Sequence, residues 1–256
     1  MPKARLFDHV ILTLGCVFML GPLALLLWRA GVPQGVAGAA LIDAASQPNT
    51  PSLSHMLGTS FIIALGVASV KTLVSVLAAY ALVFFRLPFA SMIFAAVLLP
   101  LFLPIESRIL PTFLVVDALG LLNTYTGLIL PVTATGLGTL ILRAQLLQIP
   151  LEVVEAARLD GAGPGRVLID FILPLSVPIL AALFAFFFVL GWNQYLWPLI
   201  ASPSVPDRAS VVSGIALLQI GSPASLALAT VAMLPPLMVF AIAQRWIVKG
   251  LAPMRS

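Results

Sequence analysis

Six stretches of this chain are too apolar and too long to sit on a water-facing surface. They run from about Val10 to Trp28, Leu57 to Phe84, Phe89 to Ile105, Thr126 to Leu147, Leu175 to Trp197 and Ala224 to Trp246. Each is close to the ~20 residues an α-helix needs to cross a hydrocarbon layer. Their apolar residues follow one another without period-two alternation, which argues against barrel strands and for helices. Only 9% of the 256 residues are charged, against roughly 25% in soluble domains. Lipid is therefore the solvent, and there a helix pairs every backbone group within itself. The expected fold is an all-α membrane protein with six transmembrane helices. Residues 1–56 hold the first span and an outer loop, and residues 57–256 form a five-span domain.

The net charge of +4 does not point to nucleic acid, because the Lys and Arg residues stand singly between the apolar runs. They act as orientation signals instead. With an even number of spans both termini share a side. That side collects Lys3, Arg5, Arg86, Arg143, Arg158, Arg166, Arg245, Lys249 and Arg255, against Arg29, Arg108 and Arg208 opposite, nine to three. Both termini and the loop around Glu155 are therefore expected in the cytoplasm. The outer loops are roughly Arg29 to Met56, Glu106 to Tyr125 and Leu199 to Pro223. The first apolar run exceeds a signal-peptide core, so its removal is not expected. Cys16 is the only cysteine, which rules out an intrachain disulfide, and neither it nor the isolated His9 and His55 hints at a metal site.

Lys71 is the one cation inside a span. A charge there is costly and faces water or the bundle interior. It either snorkels or pairs from an overlong helix, or it meets an anion on a pathway.

Between the fourth and fifth spans lies the longest polar stretch of the inner face, Arg143 to Pro174. Pro150 suits a first helical residue, with Glu152 and Glu155 in the early turns, and Gly161 suits a left-handed end. Gly163-Pro164 then restarts a second short helix toward Leu173-Pro174. Ala156 and Ala157 remove bulk, while Glu155, Arg158 and Asp160 offer directional charge pairs. These properties fit a docking element. They also fit an ordinary interfacial loop in which Glu155 pairs with Arg158 at i,i+3.

Glu155-Ala156-Ala157, Gly161 and Phe171-Ile172-Leu173-Pro174 resemble the EAA signature of ABC-importer permeases, with Phe171 where isoleucine is usual. Gly191-Trp-Asn-Gln-Tyr-Leu-Trp-Pro198 and Gln244 to Leu251 are similar to segments of carbohydrate-type permeases. Leu103 to Thr112 and Leu122 to Leu128 resemble the permeases of glycerol-3-phosphate importers. The likeness covers nearly everything from Leu57 to Leu251.

It implies an importer membrane domain over 57–256, with Glu155, Ala156, Ala157, Arg158, Asp160 and Gly161 in a coupling helix that docks on an ATP-hydrolysing subunit. It also implies a homologous second permease, two ATPase subunits and an extracytoplasmic binding protein. The setting would be the bacterial inner membrane. No cofactor is expected on this chain, because it lacks a phosphate-binding loop and ATP belongs to the partner. The implied cargo is sn-glycerol-3-phosphate or a glycerophosphodiester, with a sugar or oligosaccharide as the alternative.

Candidate path residues are Asn193, Gln194, Tyr195, Trp197, Lys71, Glu106 and Arg108. Amides offer paired donors and acceptors to hydroxyls, and aromatic faces pack against a carbon chain. Tyr195 and Trp197 also suit an interfacial aromatic belt. Arg108 suits the attraction of an anion, contact with a delivering protein, or a plain loop charge. An ion-coupled carrier would place ionisable groups at the midplane, often in two repeats. Lys71 alone qualifies, and no repeat is evident. An intramembrane enzyme would need a catalytic constellation in the spans, and none converges there.

Overall fold

The computed structural model describes residues 2–32, 35–39, 42, 51–134, 136–203, 208–219 and 221–251; among these there is no strand. The helices are α1 (Pro2–Arg29), α2 (Leu53–Phe84), α3 (Ala90–Leu98, tightening over Leu99–Leu101) and α4 (Ile105–Ala118). Then come α5 (Tyr125–Ile129, tightening over Leu130–Val132), α6 (Gly136–Leu146) and α7 (Leu151–Leu159). The chain ends with α8 (Pro164–Trp192), α9 (Leu196–Ala201), α10 (Val211–Ile215) and α11 (Pro223–Leu251).

Four of these are long and apolar enough to cross a membrane: α1 from Phe7, α2, α8, and α11 as far as Trp246. The other two expected spans are interrupted. α3 is only about 18 Å long, short of the ~30 Å hydrocarbon layer. Pro104 has no N–H to donate to the Pro100 carbonyl, and the chain leaves the helix at Phe102. It restarts as α4, a helix where a loop is predicted. α5 and α6 meet at a bend of 51° and count as a fifth span when taken together.

The fifth apolar run is shifted. Its helix starts at Pro164 rather than Leu175 and stops at Trp192 rather than Trp197. The early start merges the predicted second short helix with the span, through a π-helical turn at Val167–Ile172. Pro174 cannot donate to Asp170, and the Leu173 N–H bonds instead to the Leu168 carbonyl. At the other end Pro198 cannot donate to Gln194, whose carbonyl oxygen accepts from Ser210 Oγ at 3.1 Å.

The core forms where α8 lies between α2 and α11, with α6 also against α2. Ser60, Ala64, Ala68, Ser75 and Ala79 are buried along α2, mostly four apart, and small residues let helix backbones approach closely in lipid. Gly191 of α8 meets this stripe: a Cβ there would lie 2.9 Å from Ala64 Cα and 3.1 Å from Val67 Cβ. Trp192 Nε1 donates to the Ala232 carbonyl oxygen at 2.9 Å, joining α8 to α11. α1 packs chiefly on α11 and otherwise presents apolar residues outward.

The connecting segments gather at opposite ends of α2. Near its start the Val211 N–H donates to Ser60 Oγ at 2.8 Å, and the Asn123 N–H donates to the Ala201 carbonyl oxygen at 2.8 Å. Near its finish Tyr80 and Phe84 hold the segment around α7. At about 48 Å, α2 is longer than the lipid core and reaches past it.

Candidate functional site

Between these two ends a cavity of about 470 Å³ opens where four segments converge. α2 contributes Val67 and Lys71, and α4 contributes Arg108, Ile109 and Thr112. The bend between α5 and α6 adds Pro131, Val132 and Ala134. The continuous stretch from the end of α8 through the following turn to the start of α9 adds Leu190, Asn193, Gln194, Tyr195, Leu196 and Trp197. Six of the seven residues singled out for a path thus share one cavity. Glu106 stands on α4, and its side chain lies outside the described residues.

The wall carries two cations, and no carboxylate is among its described residues. Lys71 Nζ sits 5.4 Å from the centroid of the Phe187 ring, a cation–π contact that steadies an ammonium without neutralising it. Arg108 Nε and Gln194 Oε1 are buried and make no hydrogen bond within the described residues. A buried polar atom left so costs about 1–3 kcal/mol, a cost that a bound anion and a hydroxyl would remove. Trp197 is committed elsewhere: its Nε1 donates to the Gly127 carbonyl oxygen at 3.1 Å, tying α9 to α5. Tyr195 is exposed beside it.

At the far end of α2 stands the handle. Pro150 caps α7 rather than opening it, one residue off expectation. The Gly161 N–H bonds to the Arg158 carbonyl at 3.0 Å, and the Ala162 N–H to the Ala157 carbonyl at 2.9 Å. With Gly161 at φ +82°, this is the left-handed helix end that the glycine suggested. Val154 and Ala157 face inward, 0% and 2% exposed, while Glu152, Glu155, Ala156 and Asp160 face out.

Two readings are corrected here. Ala157 does not leave room for another surface, because it is packed against its own chain. Glu155 and Arg158 form no ion pair among the described residues, and Arg158 reaches back to the Phe84 carbonyl. Leu159 went unnoticed in the sequence, yet it is 88% exposed at the tip. The helical period placing Val154 and Ala157 inside puts Leu159 opposite them, so the signal was present.

Membrane-length helices around a cation-lined cavity, with an exposed helical handle, define a membrane transport component. Residues 60–253 match the family described as binding-protein-dependent transport system inner membrane component, and the chain belongs to it. Among its relatives is the sn-glycerol-3-phosphate transport system permease protein UgpE of Agrobacterium fabrum, 44% identical over 206 residues, 78% of this chain and 73% of the relative. The protein of that name from Pectobacterium atrosepticum is 43% identical over 209 residues, 79% and 74% of the two chains. That from Yersinia pestis is 36% identical over 96% of this chain and 95% of its own. A chain from the crystal structure of a bacterial ABC transporter involved in the import of the acidic polysaccharide alginate has the same fold. Its TM-score is 0.79 at 18% identity, covering 96% of this chain and 98% of that one. The chain is thus a multi-pass inner-membrane permease component of an ABC importer, with no catalytic role of its own.

Proposed function

We propose that this permease passes a small phosphate-bearing polyol, sn-glycerol-3-phosphate or a related glycerophosphodiester, into the cytoplasm. A homologous permease would complete the path, an extracytoplasmic binding protein would deliver the cargo, and two ATPase subunits would bind and hydrolyse ATP. Both termini and the handle face the cytoplasm, and Glu155, Ala156 and Asp160 present the surface on which an ATPase subunit docks. The names of the relatives support the cargo.

The observation that carries the reading is that Lys71 and Arg108 share a cavity wall with no carboxylate among its described residues. A phosphoryl group accepts charge-assisted hydrogen bonds from both cations. Gln194 Oε1 accepts from a hydroxyl, the Asn193 amide offers both donor and acceptor, and Tyr195 packs against the carbon chain. Leu190 and Val67 close the apolar side.

The test is uptake by cells carrying Lys71→Met or Arg108→Gln in an otherwise intact importer. Loss of one hydrogen-bonded charge predicts about ten- to hundredfold slower glycerol-3-phosphate uptake, with the permease still present in the membrane. Uptake equal to the parent's would reject the assignment. The amide and aromatic rim would also serve an uncharged sugar. Import of a neutral sugar that survives both substitutions would favour that second reading.

A further inference from the structure

The handle is held to its own chain by two hydrogen bonds that run in opposite directions. Tyr80 Oη, one turn before the end of α2, donates to the Pro164 carbonyl oxygen at 2.9 Å. Arg158 Nη2, from α7, donates to the Phe84 carbonyl oxygen at 3.3 Å. One bond thus leaves α2 for the start of α8, and the other returns from α7 to the last residue of α2. Together they bracket the Gly161 turn.

Each bond answers a local need. Phe84 is the last helical residue of α2, and the residue four further on is Pro88, which has no N–H. Its carbonyl therefore lacks the usual helical donor, and the Arg158 guanidinium supplies one. The Tyr80 ring is fixed before its hydroxyl is used, lying 5.3 Å from the Phe84 centroid and 5.5 Å from that of Phe85. Beneath both bonds Val154, Ala157 and Val167 join Val76, Ala79 and Tyr80 in one buried apolar cluster.

A helix flanked by Pro150 on one side and Gly161 and Gly163 on the other would pivot if only the chain held it. Two bonds and a shared core prevent that. We infer that Tyr80 and Arg158 are positioning residues that make the handle and the adjoining end of α2 one rigid lever, so that displacement of α7 reaches the cavity. Lys71 precedes Tyr80 on the same helix by nine residues (80 − 71), about 14 Å. The inference rests on the handle being the contact for the motor. It commits the Arg158 guanidinium to its own chain, however, and leaves docking to Glu155 and its exposed neighbours.

The experiment uses the whole importer in proteoliposomes, with its partner permease, ATPase subunits and binding protein, and sn-glycerol-3-phosphate as cargo. Tyr80→Phe removes one oxygen, and Arg158→Met removes the donor at similar length. Each should lower uptake per ATP hydrolysed by about three- to tenfold, the range spanned by one hydrogen bond. The ATPase subunit should still co-purify. Arg158→Lys, which keeps a donor, should recover most of the ratio.

An unchanged ratio would overturn the inference, as would uptake that falls only in step with lost ATPase subunit. If Arg158→Met fails to assemble, Tyr80→Phe decides alone. Glu155→Lys separates the two claims. If it retains the ATPase subunit, the docking assignment is wrong. If it releases the subunit while Tyr80→Phe and Arg158→Met leave coupling intact, only the lever is wrong.

Discussion

Gly161 adopts φ +82°, where a side chain costs roughly 1–2 kcal/mol. Gly161→Val should therefore unwind the end of the handle and cut uptake several-fold, while the amount of inserted protein, read by membrane immunoblot, stays unchanged. The spacing from Glu155 to Gly161 made this residue legible, because a glycine closing a short polar helix has few other uses. Gly191 was not legible in the same way. Its reason lies in Ala64 and Val67, far away along the chain, and only packing brings them to 2.9 and 3.1 Å from where a Cβ would stand. Arg158 shows the same limit. Its place in a charged motif suggested an outward role, yet its partner is a carbonyl made needy by Pro88.

α8 packs against both α2 and α11, and a side-chain bond joins it to α11. Trp192→Phe keeps the ring stacking on Phe188 and removes the Nε1 donor, leaving the Ala232 carbonyl buried without it. The expected loss is about 1–3 kcal/mol, visible as a lower thermal aggregation midpoint of the detergent-purified importer. Continuous apolar composition revealed α1, α2, α8 and α11. It did not reveal the breaks at Phe102, after Val132 and at Asn193, because apolar residues flank each one. Hydropathy reports the solvent a segment prefers, whereas a break depends on which backbone groups find donors. Proline does not settle the matter either: Pro100, Pro104, Pro131 and Pro198 lie at or near interruptions, but Pro178, Pro235 and Pro236 sit within unbroken helices.

For the molecule as a whole, the segments assigned to opposite faces gather at opposite ends of α2. On the proposed orientation, the charge bias of nine cations to three puts the handle end of α2 on the inner side. Leu159→Cys in a Cys16→Ser background tests this: a membrane-impermeant maleimide should label inside-out vesicles and spare right-side-out ones. Labelling in the reverse sense would invert the topology. The individual polar residues of the cavity were readable as polar groups in apolar surroundings. Their convergence was not, since the cavity takes walls from four segments and one of them, α4, was expected to be a loop.

The two fixed cations in that wall have an energetic corollary. A pocket that draws in an anion also traps it: at an effective dielectric constant of ~20, opposite charges 4 Å apart hold each other by about 4 kcal/mol. A negative cell interior adds roughly 2.3 kcal/mol per charge for each 100 mV. On the function proposed above, capture of such a cargo would be downhill and discharge the uphill event, and the nucleotide-driven stroke would be needed to empty the chamber rather than to fill it.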